Sequence, residues 1–412
     1  MNDVFVAGVS MTAFGKHLTR SIKDLAQDAL QGALKDAGAE LGDIEAVFYG
    51  NCVQGHMDGQ DMIRGEIALR AAGLQNVPMI NVENACATGS SAFHLAVSYV
   101  RSGAADIALA IGVEKMFSAD KALMFSAFDG AWDVHQVEQN RNTLTSMGEG
   151  LPIPPGTTSD KPYSVFMDVY AGLSRLHMRE FGTTQRQIAI VSSKNHQHST
   201  MNPLSQYQRA YSVDEILAAP PITYPLTLPM CSPVSDGAAA AIVCNAAGLK
   251  RLSSAAKRAK RVCASVVQTG SNRRAEDLHL HVTARAAKKA YEQAGVGADA
   301  MSMAEVHDAT AVGEIIEVEA LGLCKLGEGG PFAESGATAL GGRLPVNPSG
   351  GLESKGHPIG ATGIAQIYEL VTQLRNEAGK RQITAPKFGI AQNGGGICGV
   401  EEAVVCVHIV GH

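Results

Sequence analysis

The chain has 412 residues, of which 45% are hydrophobic and 18% charged, and a formal net charge of −6. That length and hydrophobic fraction support two or more domains, each with a full core, while lysines and arginines that cluster only at Lys257–Arg261 exclude a nucleic-acid footprint. No apolar run approaches the roughly 20 residues a membrane crossing needs, and Met1–Gly8 shows no basic segment leading into a long apolar one, so a cytoplasmic protein without a membrane span is expected.

Taken in chain order, strand-like and helical runs alternate, which predicts layered α/β architecture. After a strand-like start, a helix ends at Ala37-Gly38 and leads to the strand-like Glu45–Tyr49. Met79–Val82 reads as a strand end, and Cys86-Ala87-Thr88-Gly89-Ser90-Ser91 opens the next helix. From about residue 115 to 230 the chain is rich in Met, Pro, His, Ser and Gln, holds the single tryptophan, Trp132, and reads as an inserted loop domain that shapes access to a site. His196 and His198 read there as solvated loop. Lys250–Lys260 is a basic, helix-prone connector. Beyond it a helix ends at Ala294-Gly295, a strand runs through Ala304–Asp308, a helix opens at Ala361-Thr362-Gly363, and the last strand covers Val404–Val410.

Two of these patterns repeat. The helices after Ala87-Thr88-Gly89 and Ala361-Thr362-Gly363 carry apolar residues at equal offsets, Phe93/Ile367, Ala96/Leu370, Val97/Val371 and Val100/Leu374, spacings that put one apolar stripe on each helix. The Ala-Gly helix ends with their following strands form the second pair, and glycine just past a helix suits a left-handed cap. Two matches in one order predict two similar halves related by a pseudo-twofold axis, residues 1–248 and 258–412.

Eight cysteines without any Cys-x-x-Cys spacing argue against a disulfide framework or a zinc ribbon in this chain. Cys86 stands out because a thiol at a helix N-terminus meets unpaired backbone N–H groups that favour thiolate and can hold an oxyanion. Taken alone it reads more readily as a small buried hydrophobe; its surroundings reverse that.

The segment Asn81–Ser90, with Cys86 in it, resembles the nucleophile segment of the thiolase family. With it, four further segments stand in that family's order, one before it, Tyr49-Gly50-Asn51 with Gly59-Gln60, and three after it, Cys231–Ala239, His307-Asp308-Ala309-Thr310, and Asn347–Gly351 continuing to Gly356-His357-Pro358-Ile359-Gly360-Ala361-Thr362-Gly363. The resemblance implies the thiolase fold, two βαβαβαββ halves in five α-β-α-β-α layers with a loop-domain insertion in the first half. It implies that Cys86 carries the acyl group, that His357 takes its proton, and that His307 helps bind the oxygen of a second thioester. Gly395, in the Gly394-Gly395-Gly396 turn, is expected beside the nucleophile's amide, Asn393 and His56 are expected to support the site, and Ser232 to touch substrate. Coenzyme A and its acyl thioesters are implied as substrates, with no tightly bound cofactor and no metal in the chain.

The departures matter. Many thiolases carry a second, acid/base cysteine just before the glycine turn, or two residues after the histidine of the His-Asp loop; here those places hold Gln392-Asn393 and Ala309. Cys398, further along, is expected to be packed. This variant resembles the sterol-carrier-type subgroup and its thiolase-like relatives, some of which act on substituted or aromatic acyl groups and work with a small zinc-ribbon/OB-fold companion chain. Expected from this are an acyl-CoA C-acyltransferase making or cleaving 3-oxoacyl-CoA, a homodimer or dimer of dimers, and, with the last strand close to His412, no appended lipid-carrier domain. Phe117, Phe125, Phe128, Trp132 and Tyr163 are read as pocket or core. A retro-aldol lyase of 3-hydroxyacyl-CoA, a ketosynthase and a non-catalytic acyl-CoA-binding subunit are the alternatives.

Overall fold

A computed structural model describes residues 2–252 and 255–411. Eleven strands are present among them: β1 (Phe5–Met11), β2 (Ala46–Gly50), β3 (Met79–Val82), β4 (Ile107–Glu114), β5 (Pro221–Thr223), β6 (Leu226–Thr227), β7 (Gly237–Cys244), β8 (Lys260–Thr269), β9 (Met303–Glu305), β10 (Phe388–Cys398) and β11 (Glu401–Gly411). All but the β5/β6 ribbon join in the order β3-β2-β4-β7-β1-β8-β11-β10-β9. Outward from the β1/β8 seam each side has the same pattern. Antiparallel pairs (β1/β7 and β7/β4; β8/β11 and β11/β10) give way to parallel ones (β4/β2 and β2/β3; β10/β9), and Val346 bridges Ala304 in parallel where the first side has β3. A short ladder, Phe5↔Arg261 and Val6↔Lys260, with the Val262 amide donating to the Val4 carbonyl at 2.8 Å, stitches the two sides at the seam.

Five helices matter for the site: α1 (Ile22–Ala37), α2 (Thr88–Ser102), α3 (Val282–Ala294), α4 (Ala311–Ala320) and α5 (Ile359–Leu374). The matched stripes meet as one core, where Phe93, Val97 and Val100 pack with Ile367, Leu370 and Val371. Burial of each such side chain contributes on the order of 1.5–3 kcal/mol, enough to hold α2 and α5 as a shared middle layer. On the outside α1 covers β1, β4 and β7 through Leu25, Ala29 and Leu30, and α3 covers β8 and β11 through Val282, Ala286 and Ala290. The result is the α-β-α-β-α thiolase fold. Ser21 caps α1 in a capping box with Asp24, and Gly38 and Gly295 end α1 and α3 in the left-handed conformation, φ 60° and 70°, where a Cβ is costly.

The connector at 250–260 is helical only to Arg251, with turns from Ala255; residues 253–254 of it lie outside the described residues. Between β4 and β7 the chain is more helical than its polar composition suggests. His196 and His198 lie on the helix Gln185–Ser199 and are buried, not solvated. The His196 ring reaches the Pro229 carbonyl and the Ser354 hydroxyl at 3.0 Å each, and His198 Nδ1 the Asn347 carbonyl at 3.0 Å. These polar side chains face the polar loop that precedes α5, which is why the helix has no clean apolar stripe. Cys398, expected to be packed, is exposed at the end of β10.

Candidate active site

Cys86 sits in a single 3₁₀ turn, Ala85–Ala87, that leads straight into α2. Ala85, just before it, is forced to φ 46°, a left-handed conformation that a residue with a Cβ adopts only when its surroundings hold it there. The Thr88 side chain pins the turn by accepting from the Asn84 amide at 2.8 Å, and the Glu83 carboxylate accepts from the Ala85 amide at 2.6 Å.

The second-half loop reaches this turn because glycines make room. An added Cβ on Gly112 would collide with the Gly360 carbonyl oxygen, and one on Gly89 would lie 2.7 Å from the same atom. This approach brings together one atom each from Cys86, His307 and His357, all within 4.8 Å of one another, and the two rings meet edge to face with centroids 5.2 Å apart.

Hydrogen bonds assign the protons on those rings. Thr362 Oγ donates to the Pro358 carbonyl at 3.0 Å and so accepts from His357 Nδ1 at 2.6 Å. His357 Nε2 therefore carries a lone pair, and it has no partner in the buried site. At His307 the arrangement is reversed. Asn393 accepts from Ser90 Oγ through Oδ1 and donates through Nδ2 to His307 Nδ1 at 2.9 Å, so His307 carries its hydrogen on Nε2. One ring offers a base, the other a donor.

Electrostatics favour neutral groups at rest. Burial, reinforced by the Glu114 charge, pushes the Cys86 thiol up to about 12, against the amides of Cys86 itself and Gly396, which favour the thiolate. The amides favour the thiolate as expected, but desolvation outweighs them. Burial lowers His307 to about 4 and His357 well below its ordinary value, where His307 and Lys355 add to the effect. Of the glycine turn, Gly396 is the residue whose amide faces the sulfur; Gly395 packs on the turn itself, its missing Cβ leaving room for the Ala87 amide 2.6 Å away.

A cavity of about 840 Å³ opens from Cys86. Phe117, Phe125, Phe128 and Tyr163 line it, as does Ser232, whose amide donates to the Ala309 carbonyl at 2.9 Å beside the His307 loop. Trp132 is core, packed on Phe166. His56 is exposed and lines the cavity away from the three grouped side chains, bonded to Ser126 Oγ at 3.0 Å. Among the described residues, two groups are close enough to ligate a cation, the Cys86 set and a second set at His281, Glu317 and Glu402.

One residue that the sequence reading passed over ties the site together. Glu114, at the end of an otherwise apolar strand, accepts from the amides of Cys52, Val53 and Gly360 and from the Asn51 side chain, at 2.8–3.1 Å. Burial raises its carboxyl to about 7 even with those donors. An acid closing a run such as Ile107–Val113 was the available signal.

Residues 4–210 match the thiolase N-terminal domain and residues 264–408 the thiolase C-terminal domain-like family. Acetyl-CoA acetyltransferase of Methanothermobacter thermautotrophicus is 37% identical over 411 residues, 99% of both chains. Sterol carrier protein 2 of Homo sapiens is 36% identical over 95% of this chain and 70% of its own length. Benzoylsuccinyl-CoA thiolase subunit BbsB of Thauera aromatica is 32% identical over 96% and 95%. Among solved structures, the Ltp2-ChsH2(DUF35) aldolase superposes with a TM-score of 0.75 at 21% identity, covering 100% of this chain and 98% of its own. No helix among the described residues is long and apolar enough to cross a membrane. With both family regions matched in order and near full-length likeness to an acetyltransferase, the chain belongs to the thiolase family and is an acyltransferase.

Proposed function

We propose that this acyltransferase forms or cleaves 3-oxoacyl-CoA through an acyl group carried on Cys86, on substituted or aromatic acyl chains. The observation that carries this reading is the unpartnered His357 Nε2, on a ring grouped with Cys86 and His307 so that one atom of each residue lies within 4.8 Å of the others. His357 takes the thiol proton as the sulfur attacks the thioester carbonyl, so the thiolate forms only in the reacting complex. The oxyanion is met by the amides of Cys86 and Gly396. As the C–S bond to coenzyme A breaks, His357 returns the proton to the departing sulfur and the acyl group stays on Cys86. Coenzyme A or a carbon nucleophile then accepts it, with the His307 Nε2–H polarising the second carbonyl oxygen and Asn393 holding that ring. Gly395 keeps the turn close to Ala87, Ser232 flanks the pantetheine arm, and His56 stands at the cavity edge.

Coenzyme A enters as a substrate, and a reducing cytoplasm suits a site that works through a free thiol. The halves are taken as 1–248 and 258–412. The edge strand β3, with Ile80 exposed, and the exposed Met62 and Ile63 support a homodimer through that side. A companion chain is also proposed, since one relative is named as a subunit.

A second reading, retro-aldol cleavage of 3-hydroxyacyl-CoA, is favoured by the absence of a cysteine at Asn393 and Ala309. Incubation with aliphatic and aromatic acyl-CoAs followed by intact-mass measurement separates the two. Acyl mass that vanishes in Cys86→Ala is expected; full turnover by that variant would overturn acyl transfer through Cys86, and a Cys86→Ser protein retaining lyase activity would install the second reading.

A further inference from the structure

The cavity wall is mostly apolar, formed by side chains such as Leu173, Leu278, Ile316 and Ile397, yet His281, Glu317 and Glu402 also line it. One side-chain atom from each lies within 4.8 Å of the others. Glu317, on α4, is 2% exposed, and its Oε2 has no hydrogen-bond partner. Glu402 packs on Gly394, where an added Cβ would be 2.8 Å from its Cγ, and its charge acts on His307. The group therefore faces the same chamber as the thiol.

An ordinary buried ion pair would be closed on itself, and this group is not. The two nearby arginines, Arg273 and Arg285, both bind Glu401, at 2.7 and 2.8 Å. Glu402 meets the neighbouring Glu317 carboxyl, and its Oε2, 3.2 Å from His281 Nε2, has no hydrogen-bond partner. A cation would need a lone pair on His281 Nε2. The Thr283 amide donates to Nδ1 at 3.3 Å, which puts the hydrogen on Nε2, the nitrogen nearer Glu402. Burial together with the Glu402 charge pushes the Glu317 carboxyl well above its ordinary value, which favours its protonated form, while the His281 ring pulls Glu402 below its ordinary value against burial. The wall thus offers one O–H donor beside one carboxylate acceptor.

We propose that Glu317 and Glu402, oriented by His281, form a hydrogen-bonding site in the acyl cavity that selects CoA thioesters whose acyl chain bears an uncharged hydroxyl. A hydroxyl accepts from one carboxyl and donates to the other. A carboxylate-bearing chain meets the Glu402 charge, and an alkyl chain leaves the two carboxyls with only each other as polar partners in the wall. The proposal rests on the reading that this cavity holds the acyl chain of a CoA thioester.

Calorimetric dissociation constants measured on Cys86→Ala protein test it without requiring turnover. The probes are hexanoyl- and octanoyl-CoA with their terminal hydroxy counterparts, 3-phenylpropanoyl-CoA with its 4-hydroxyphenyl counterpart, and adipyl-CoA. At least one hydroxyl compound is expected to bind about tenfold tighter than its parent, the worth of one good hydrogen bond to a charged group. That ratio should fall to near one in Glu317→Leu, with the parent's affinity held within about threefold, and should be largely kept in Glu317→Gln, which still donates. Hydroxyl compounds no tighter than their parents, a ratio that survives both Glu317→Leu and Glu402→Leu, or adipyl-CoA binding as tightly as its hydroxy analogue would each overturn the proposal. Failure of acyl transfer itself shows elsewhere, as missing mass on Cys86 in the wild-type protein.

Discussion

Replacing Thr362 with valine keeps the size and branching of a fully buried side chain and removes only the oxygen that accepts from His357 Nδ1. The Nδ1–H is then left unpaired, at about 1–3 kcal/mol, and the penalty falls on the tautomer that presents a lone pair to Cys86. The other tautomer, with its hydrogen on Nε2, gains by the same amount and cannot accept the thiol proton. At about 1.4 kcal/mol per factor of ten, the rate of Cys86 acylation should drop roughly 5- to 150-fold while the KM for the acyl-CoA stays unchanged. Single-turnover mass measurements give the rate, and Thr362→Ser, which restores the oxygen, should stay within about threefold of wild type. A valine variant as fast as wild type, or a serine variant equally slow, would refute the assignment of His357 as the base.

Two further outcomes follow from geometry and burial. Gly112→Ala should cost about 3 kcal/mol in denaturant unfolding and slow acylation, because the new Cβ collides with the Gly360 carbonyl oxygen and drives the His357 loop away; stability within about 0.5 kcal/mol of wild type would contradict that contact. His408, buried against Phe93 and bonded to Ser265, has its pKa lowered by burial to about 3. Its folded value lies below the unfolded one, so its contribution is present above pH 6.5 and is lost as the pH falls below that. Between pH 7.5 and 5 wild type should lose about 2 kcal/mol more than His408→Gln, read from paired denaturant titrations; parallel pH profiles would contradict it.

The parts legible in the sequence were those written as local patterns. Gly38 and Gly295 marked helix ends because the left-handed cap favours glycine, and the stripes on α2 and α5 marked the middle layer through their spacing. Cys86, His307 and His357 could be singled out because each sits in a recognisable segment. The group at His281, Glu317 and Glu402 was invisible, since three isolated residues from distant segments have no spacing to read. His196 and His198 were misread for another reason. Their helix packs against polar loops, so a hydrophobic pattern could not reveal it, although Thr184 and Gln187 form a capping box that could have. The resting protonation of Cys86 depends on how much of the chain covers it, a property of packing.

The middle layer of α2 and α5 has a consequence for how the protein comes to life. The sulfur belongs to a segment made early in synthesis, while both rings and the Gly396 amide arrive much later in chain order. On the proposed roles, until the second part has docked the thiol lacks both its base and one of its amide donors, and a half-finished chain should be chemically quiet toward thioesters. Recovery of acylation during refolding would consequently time the docking event itself, separately from the formation of helices and strands within either part.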